Sequence, residues 1–284
     1  MSYPIDRPAT WFVTGTSRGL GLELVEQLLD RGEQVAATTR SADRLTAALG
    51  GDRSRLLVLE LDLADEKQVT AAVAGTRERF GSLDVVVNNA GYGFLGAVEE
   101  TTDAEVRQMF DVQVFGVWNV LRAVLPGFRA AGSGHIINVS SILGLTTFPG
   151  WGLYSAGKFA LEGLTGSLAA ETAGFGIRTN LVELGYTRTD FLRPQSIALP
   201  TAAADGYDAI REMTQAHLAM PGTQLGDPVR AAAAIIKVAV DGDAPLHQLL
   251  GSDSYGLAQA RIEALTADIE AGRALTVTTD IPQA

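Results

Sequence analysis

The sequence contains no cysteine. Disulfides, thiolate metal sites and a cysteine nucleophile are therefore excluded together. The absence fits a reducing compartment, so a cytoplasmic location is expected. Histidine is scarce: His135, His217 and His247 lie far apart in the chain and lack metal-ligand spacing. All three are expected to be structural, and no metal site is expected. No run of residues approaches the ~20 apolar positions needed to span a bilayer, so no membrane partner is expected. Residues Met1–Ala9 hold two prolines and no apolar run, which does not read as a signal peptide. Positive charge is also in short supply. Lys and Arg total 22 against 33 Asp and Glu, for a net charge of −11. That balance argues against nucleic acid as a partner.

What the chain does have is apolar residues, 46% of 284 positions, enough for one large core. Apolar runs alternate with segments of helical period. Strands are predicted at Trp11–Thr14, Gln34–Thr39, Leu56–Leu61, Leu83–Val87, His135–Val139, Ile177–Val182 and Leu246–Leu250. Helices are predicted at Leu20–Leu29, Val69–Phe80, Tyr154–Ala173 and Leu257–Glu270, and from Pro228, behind the capping Asp227, to about Val240. A capping box, Thr102-x-x-Glu105, opens another that runs toward Leu125, with Pro126 near its end. Strands separated by helices predict an α/β fold: a doubly wound, Rossmann-type, parallel seven-stranded sheet with helices on both faces. A single domain is expected over residues 1–284. Residues 186–225 break the alternation with Pro194, Pro200, Pro221 and an alanine-rich stretch, and are expected to form a helical substrate lid. Residues 252–284 are expected to be a C-terminal helix and tail.

Three clusters carry chemistry. Gly15-Thr16-Ser17-Arg18-Gly19-Leu20-Gly21 lies between the first strand and the first helix. A helix N-terminus offers free N–H groups and a positive dipole end, which suits a diphosphate. Tyr154 and Lys158 are four apart at the start of a helix, so phenol and ammonium share a face. An ordinary tyrosine, with a pKa near ~10, is a poor base at neutral pH, and a neighbouring cation favours its phenolate. The pair makes an acid–base group suited to protonating an alkoxide as hydride arrives. Ser141, at a strand end, offers a hydroxyl to the substrate oxygen.

The spacing Gly15-x-x-x-Gly19-x-Gly21, with Asn88-Asn89-Ala90-Gly91 and the Ser141, Tyr154, Lys158 set, resembles the classical short-chain dehydrogenase/reductase family. The resemblance runs from Ala9 to about Ala267. It implies that Tyr154 is the general acid/base, that Ser141 orients the carbonyl, and that Lys158 binds the nicotinamide ribose and lowers the tyrosine pKa. It also implies cofactor contacts at Asn89, Ala90, Gly91, Gly185 and Thr187, and adenine contacts at Asp62 and Leu63. Asp62 reads equally well as a loop residue capping the next helix. Two positions depart from the family. Gln113 stands where an asparagine usually holds a relay water, and Leu184 stands where proline usually precedes Gly185. Glutamine keeps the amide but moves it out by one methylene, so Gln113 is expected to serve the same relay. Homodimers or homotetramers formed through the two long helices are implied by the resemblance as well.

NADP(H) is expected over NAD(H). The second strand ends Thr38-Thr39-Arg40, with no carboxylate to repel a 2′-phosphate, and Arg40 and Arg18 flank the site. The substrate is expected to be a small molecule with a bulky, mainly apolar carbonyl or secondary alcohol. Its walls would be Tyr92, Phe94, Leu95, Leu143, Phe148 and Trp151, closed by Phe191, Leu192 and the segment to Met220. The competing reading is a catalytically weak NADP-binding sensor, which would have no need of an intact Ser141, Tyr154 and Lys158. A sugar-nucleotide epimerase or dehydratase ranks last, because its usual glycine spacing differs.

Overall fold

Seven of the apolar runs become the strands of one parallel sheet. The computed structural model describes residues 3–50 and 54–281. In chain order the strands are β1 Thr10–Val13, β2 Gln34–Thr39, β3 Leu56–Glu60, β4 Val85–Asn88, β5 Gly93–Phe94, β6 Gly134–Ser141, β7 Ile177–Leu184, β8 Ile197–Ala198 and β9 His247–Leu250. The α-helices are α1 Gly19–Asp30, α2 Ala42–Leu49, α3 Glu66–Phe80, α4 Asp103–Phe110, α5 Gly116–Ala131, α6 Gly152–Thr172, α7 Asp208–Leu218, α8 Pro228–Asp241 and α9 Ser252–Thr276. The main sheet runs β3-β2-β1-β4-β6-β7-β9, and β5 with β8 forms a separate two-stranded ribbon. The chain moves outward from β1 to β3, then returns to lay β4 on the other side of β1. That reversal opens a crevice at the carboxyl ends of β1 and β4, where ligands of doubly wound folds bind.

Each inner strand is buried on both faces, and alternate residues feed two cores. Trp11, Val13, Val35, Val85, Val87 and Ile137 pack with Leu24, Leu28, Ala232 and Ile235 of α1 and α8. Phe12, Ala36, Val86 and Ile136 pack with Val73, Val120, Val124 and Leu161 of α3, α5 and α6. Fully burying one such side chain stabilises by roughly 1.5–3 kcal/mol, so both helical layers are held firmly.

The structure corrects several local expectations. The helix opened by Thr102 does not end at Pro126. It passes through a π-helical turn, Asp111–Phe115, and continues as α5 to Ala131, where Gly132 at φ +64° ends it. Pro126 only removes one N–H, and burial of Val124 and Phe128 on either side carries the helix across. In residues 186–225 the alanine-rich stretch is not helical, because Pro200 precedes it and Gly206 turns at φ +87°. The helix there is α7, further along. Helix α2 was not expected, and α9 begins at Ser252, five residues before the predicted Leu257, and runs 25 residues. No helix of the described residues is long and apolar enough to cross a membrane.

Candidate active site

The carboxyl ends of β1, β2, β4, β6 and β7 border a single cleft of about 790 Å³. Its floor is the turn from β1 into α1. Gly15 sits at φ +71°, and a Cβ there would lie 2.6 Å from Ala90 Cα. A Cβ on Gly21 would meet the Gly15 carbonyl oxygen at 2.3 Å. Both glycines are therefore required for the close approach of turn, helix and β4. Helix α1 has no side-chain cap and no acidic residue in its first turn, which leaves its N–H groups for an anion.

Thr14 and Asn89 lock this turn. The Thr14 hydroxyl accepts from the N–H groups of Asn89 and Ala90, each at 3.0 Å, and Asn89 Nδ2 donates to the carbonyls of Thr14 and Gly15 at 2.9 and 3.1 Å. Asn89 thus shapes the glycine loop from below, and Thr14, which opens that loop in the sequence, is its second anchor. Thr16, expected as a cofactor contact, is a correction. It is fully buried, its hydroxyl and N–H both donate to the Thr38 carbonyl, and it does not line the cleft. Gly15, Ser17, Arg18, Gly19, Leu20, Gly21, Arg40, Asp62, Leu63, Asn89, Ala90, Gly91, Gly185 and Thr187 do line it. One Asp62 oxygen also accepts from the Ala64 N–H at 3.0 Å, while Asp65 is the residue that caps α3.

Arg18 and Arg40 converge as expected, and Arg44 of α2 joins them. Burial, then the fields of Arg44 and Arg40, hold the Arg18 guanidinium below its ordinary pKa. Three cations crowd one end of the cleft. Arg44 could not be placed there from the sequence because α2 was not foreseen.

At the other end, Ser141 closes β6 and Tyr154 and Lys158 stand on the first turns of α6. Lys158 Nζ donates to the Val139 carbonyl at 2.9 Å and lies 5.6 Å from the Tyr154 ring centroid. Burial lowers Lys158 to about 8, partly offset by Glu162. Burial pushes the Tyr154 phenol above its ordinary value, and a hydrogen bond with Ser141 pulls it partly back. The lowering by lysine expected from the sequence is not what acts on the phenol: loss of water raises it and Ser141 is the group that lowers it.

Gln113 sits in the π-turn, 1% exposed, with Nε2 donating to the Tyr92 carbonyl at 2.8 Å. It flanks Gly91 together with Lys158: a Cβ on that glycine would lie 3.9 Å from Gln113 Cδ and from Lys158 Nζ. Its Oε1 is buried without a partner.

Tyr92, Leu143, Phe148, Trp151 and Phe191 line the cleft as expected. Phe94 is a correction. It is 2% exposed in a separate cluster with Met109 and Leu153, because β5 turns it toward α4 and α6. Leu95 is likewise fully buried and off the cleft. Tyr186 lines the wall instead, its hydroxyl 2.8 Å from His217 Nε2, and His217 stands edge-on to Trp151 at 5.4 Å. The segment of residues 186–225 meets the glycine loop through Arg18 Nη2, which donates to the Gln195 carbonyl at 2.6 Å.

The geometry agrees with known proteins. A family model described as short chain dehydrogenase matches residues 9–198. An oxidoreductase, BOA17, of Botryotinia fuckeliana is 35% identical over 268 residues, 94% of this chain and 97% of that protein. A short-chain dehydrogenase from Streptomyces avermitilis superposes with TM-score 0.89 at 33% identity, covering 98% of this chain and all of the other. A short chain dehydrogenase from Burkholderia cenocepacia, in complex with NADP, superposes with TM-score 0.69 at 27% identity, covering 97% and 99% of the two chains.

Proposed function

This chain belongs to the short chain dehydrogenase family, oxidoreductases of CH–OH and C=O groups that use a nicotinamide cofactor, and on that premise we propose that it transfers hydride between NADP(H) and a bulky, mainly apolar carbonyl or secondary alcohol. The observation that carries the reading is one continuous cleft with Ser141, Tyr154 and Lys158 at one end and the glycine loop with three arginines at the other. The residues present fit a dinucleotide. The uncapped N-terminus of α1 and the close-packed Gly15 and Gly21 would receive the diphosphate. Asp62 and Leu63 would border the adenine, and Ala90, Gly91, Gly185 and Thr187 the nicotinamide half.

When bound, the reduced nicotinamide supplies the hydride. Ser141 donates a hydrogen bond to the substrate oxygen and polarises the carbonyl. Tyr154 gives its proton to that oxygen as the carbonyl carbon becomes tetrahedral. Its raised pKa suits this direction, since the phenol is fully protonated at neutral pH. Lys158 holds ribose hydroxyls and, as a cation, stabilises the phenolate left behind. The free Oε1 of Gln113 accepts from a water on the lysine side, completing the path by which Tyr154 is reprotonated. A binding-only sensor would need Lys158 at the ribose but neither the Ser141 hydroxyl nor the Tyr154 proton.

Arg18, Arg40 and Arg44 read the 2′-phosphate. Arg18, held low by burial and by the fields of Arg44 and Arg40, calls for an anion among the three, and a guanidinium grips phosphate through parallel hydrogen bonds. Exposed Phe115, Trp118 and Phe159 on the long helices support a homo-oligomer. The test is the ratio of kcat/KM for NADPH over NADH with a panel of ketones. The ratio is expected well above one. Arg40→Ala or Arg44→Ala should lower it by roughly five- to a hundredfold, for a charged hydrogen bond of ~1–3 kcal/mol. A ratio near one, or one unmoved by both changes, overturns the cofactor choice. Small hydrophilic ketones outperforming aryl or terpenoid ones overturn the substrate class.

A further inference from the structure

One turn along α6 from Lys158, a second group of ionisable side chains lies behind the cleft. Glu162 of α6, Glu183 of β7 and His247 of β9 bring one carboxylate oxygen each and a ring nitrogen within 4.8 Å of one another. The strand register explains the meeting. Ser140 pairs with Glu183, Glu183 pairs with Leu249, and His247 lies two residues before Leu249 on the same face. That face is the one α6 covers, as the Asn138–Thr165 hydrogen bond of 2.8 Å shows.

The hydrogen bonds inside the group do not balance for two ionised carboxylates. Ser140 Oγ donates to Glu162 Oε1, and His247 Nδ1 lies 2.6 Å from Glu183 Oε1. The second oxygen of each acid, Glu162 Oε2 and Glu183 Oε2, is closed from solvent and has no donor. Glu183 is 0% and Glu162 9% exposed at the side chain, whereas His247 is 50% exposed. Two like charges so placed are costly, and one proton between them removes both the repulsion and the missing donor. Burial pushes each acid up to about 7.

The charged groups acting on Glu162 are Glu183, His247 and Lys158. From β6 the neighbour is Ser140, and Gly144 of the turn Ile142–Gly144, which lies against Glu162, brings no charge. Asp253 of α9 is engaged elsewhere, accepting from the Tyr186 N–H at 2.7 Å. Lys158 in turn feels Glu162 as its one opposing charge.

We propose that Glu162 and Glu183 hold a single proton between them near neutral pH, that the remaining negative charge keeps the buried Lys158 ammonium protonated, and that half-exposed His247 is where the pair exchanges protons with solvent. Glu162 is then a positioning residue that acts through Lys158. The proposal rests on the role given to Lys158 above, but its first test does not need turnover.

Infrared difference spectra of the wild-type protein across pH should show the C=O stretch of a protonated, buried carboxyl group at neutral pH. Glu162→Gln and Glu183→Gln should each move the midpoint of that band downward. Absence of the band at neutral pH overturns the proposal whether or not a substrate is known. So does its stoichiometric loss on adding Zn²⁺ with recovery on chelation, which would make the three side chains a metal site. The second readout is the alkaline limb of kcat/KM. Glu162→Gln removes the charge facing Lys158 and should shift the limb down by about one pH unit. Glu183→Gln leaves the charge undivided on Glu162 and should shift it up. A merely structural pair would leave the limb in place, and shifts of both variants in one direction would also overturn the proposal.

Discussion

A phenol as deeply buried as Tyr154 keeps its proton until something takes it, and that decides which direction of the reaction its surroundings favour. Tyr154 is 5% exposed, edge-on to Trp151 at 5.4 Å and Phe191 at 5.7 Å. Tyr154→Phe preserves both ring contacts and removes only the hydroxyl. Turnover should fall by about 10²–10⁴-fold, the usual contribution of a positioned acid, with cofactor affinity retained. Steady-state kinetics beside a fluorescence titration of bound NADPH checks both halves, and wild-type turnover would sink the mechanism. Lys158 adds a pH expectation. Its ammonium is lowered to about 8, so ketone reduction should decline as pH rises through that value. The glycines, Ser141, Tyr154 and Lys158 were legible at this scale because each occupies a fixed offset from a strand end or helix start. Phe94 and Thr16 were misread because the sequence does not say on which side of a loop a side chain emerges.

Elements show the same division between local signals and packing. The Asp227-Pro228 start of α8 was legible because capping chemistry is local: Asp227 Oδ1 accepts from Val229 N–H at 2.8 Å. Asp227→Ala should cost about 0.5–2 kcal/mol. Because α8 packs on α1, the loss should appear as a lower global Tm by calorimetry; a Tm unchanged from wild type would refute the cap's contribution. The helix from Asp103 to Ala131 was legible at its start and not at its end. Pro126 is a local stop signal, and buried Val120, Val124 and Phe128 override it. The π-turn at Asp111–Phe115 has no sequence signature, yet it lies where Gln113 reaches the site.

For the whole molecule, the Glu162–Glu183 pair makes folding stability depend on pH in an unusual sense. Both acids are raised from 4.5 to about 7 in the folded chain. A raised group gives stability that is full below the unfolded value and lost as pH rises through the folded one. The pair's contribution is therefore lost as pH climbs from the ordinary carboxylate range through about 7. Thermal melts over that window should show Tm falling for the wild type, and Glu183→Gln should flatten the slope. An equal slope in the variant would show that other groups set it.

The sequence by itself determined the class of fold and which residue types stand at the strand ends and helix start that border the cleft. Alternating apolar runs admit little but a parallel sheet with helices on both faces, and a phenol four residues from an ammonium shares its helix face whatever the tertiary context. Only the tertiary structure decided what is brought together across strands. Arg44 reaches Arg18 and Arg40 through an unforeseen helix, Tyr186, held from behind by His217, lines the wall where Phe94 was expected, and Glu162, Glu183 and His247 meet from three elements. Periodicity fixes which face of an element a residue occupies. The register between strands, and the side chain that fills each gap, follow from packing among residues far apart in the chain.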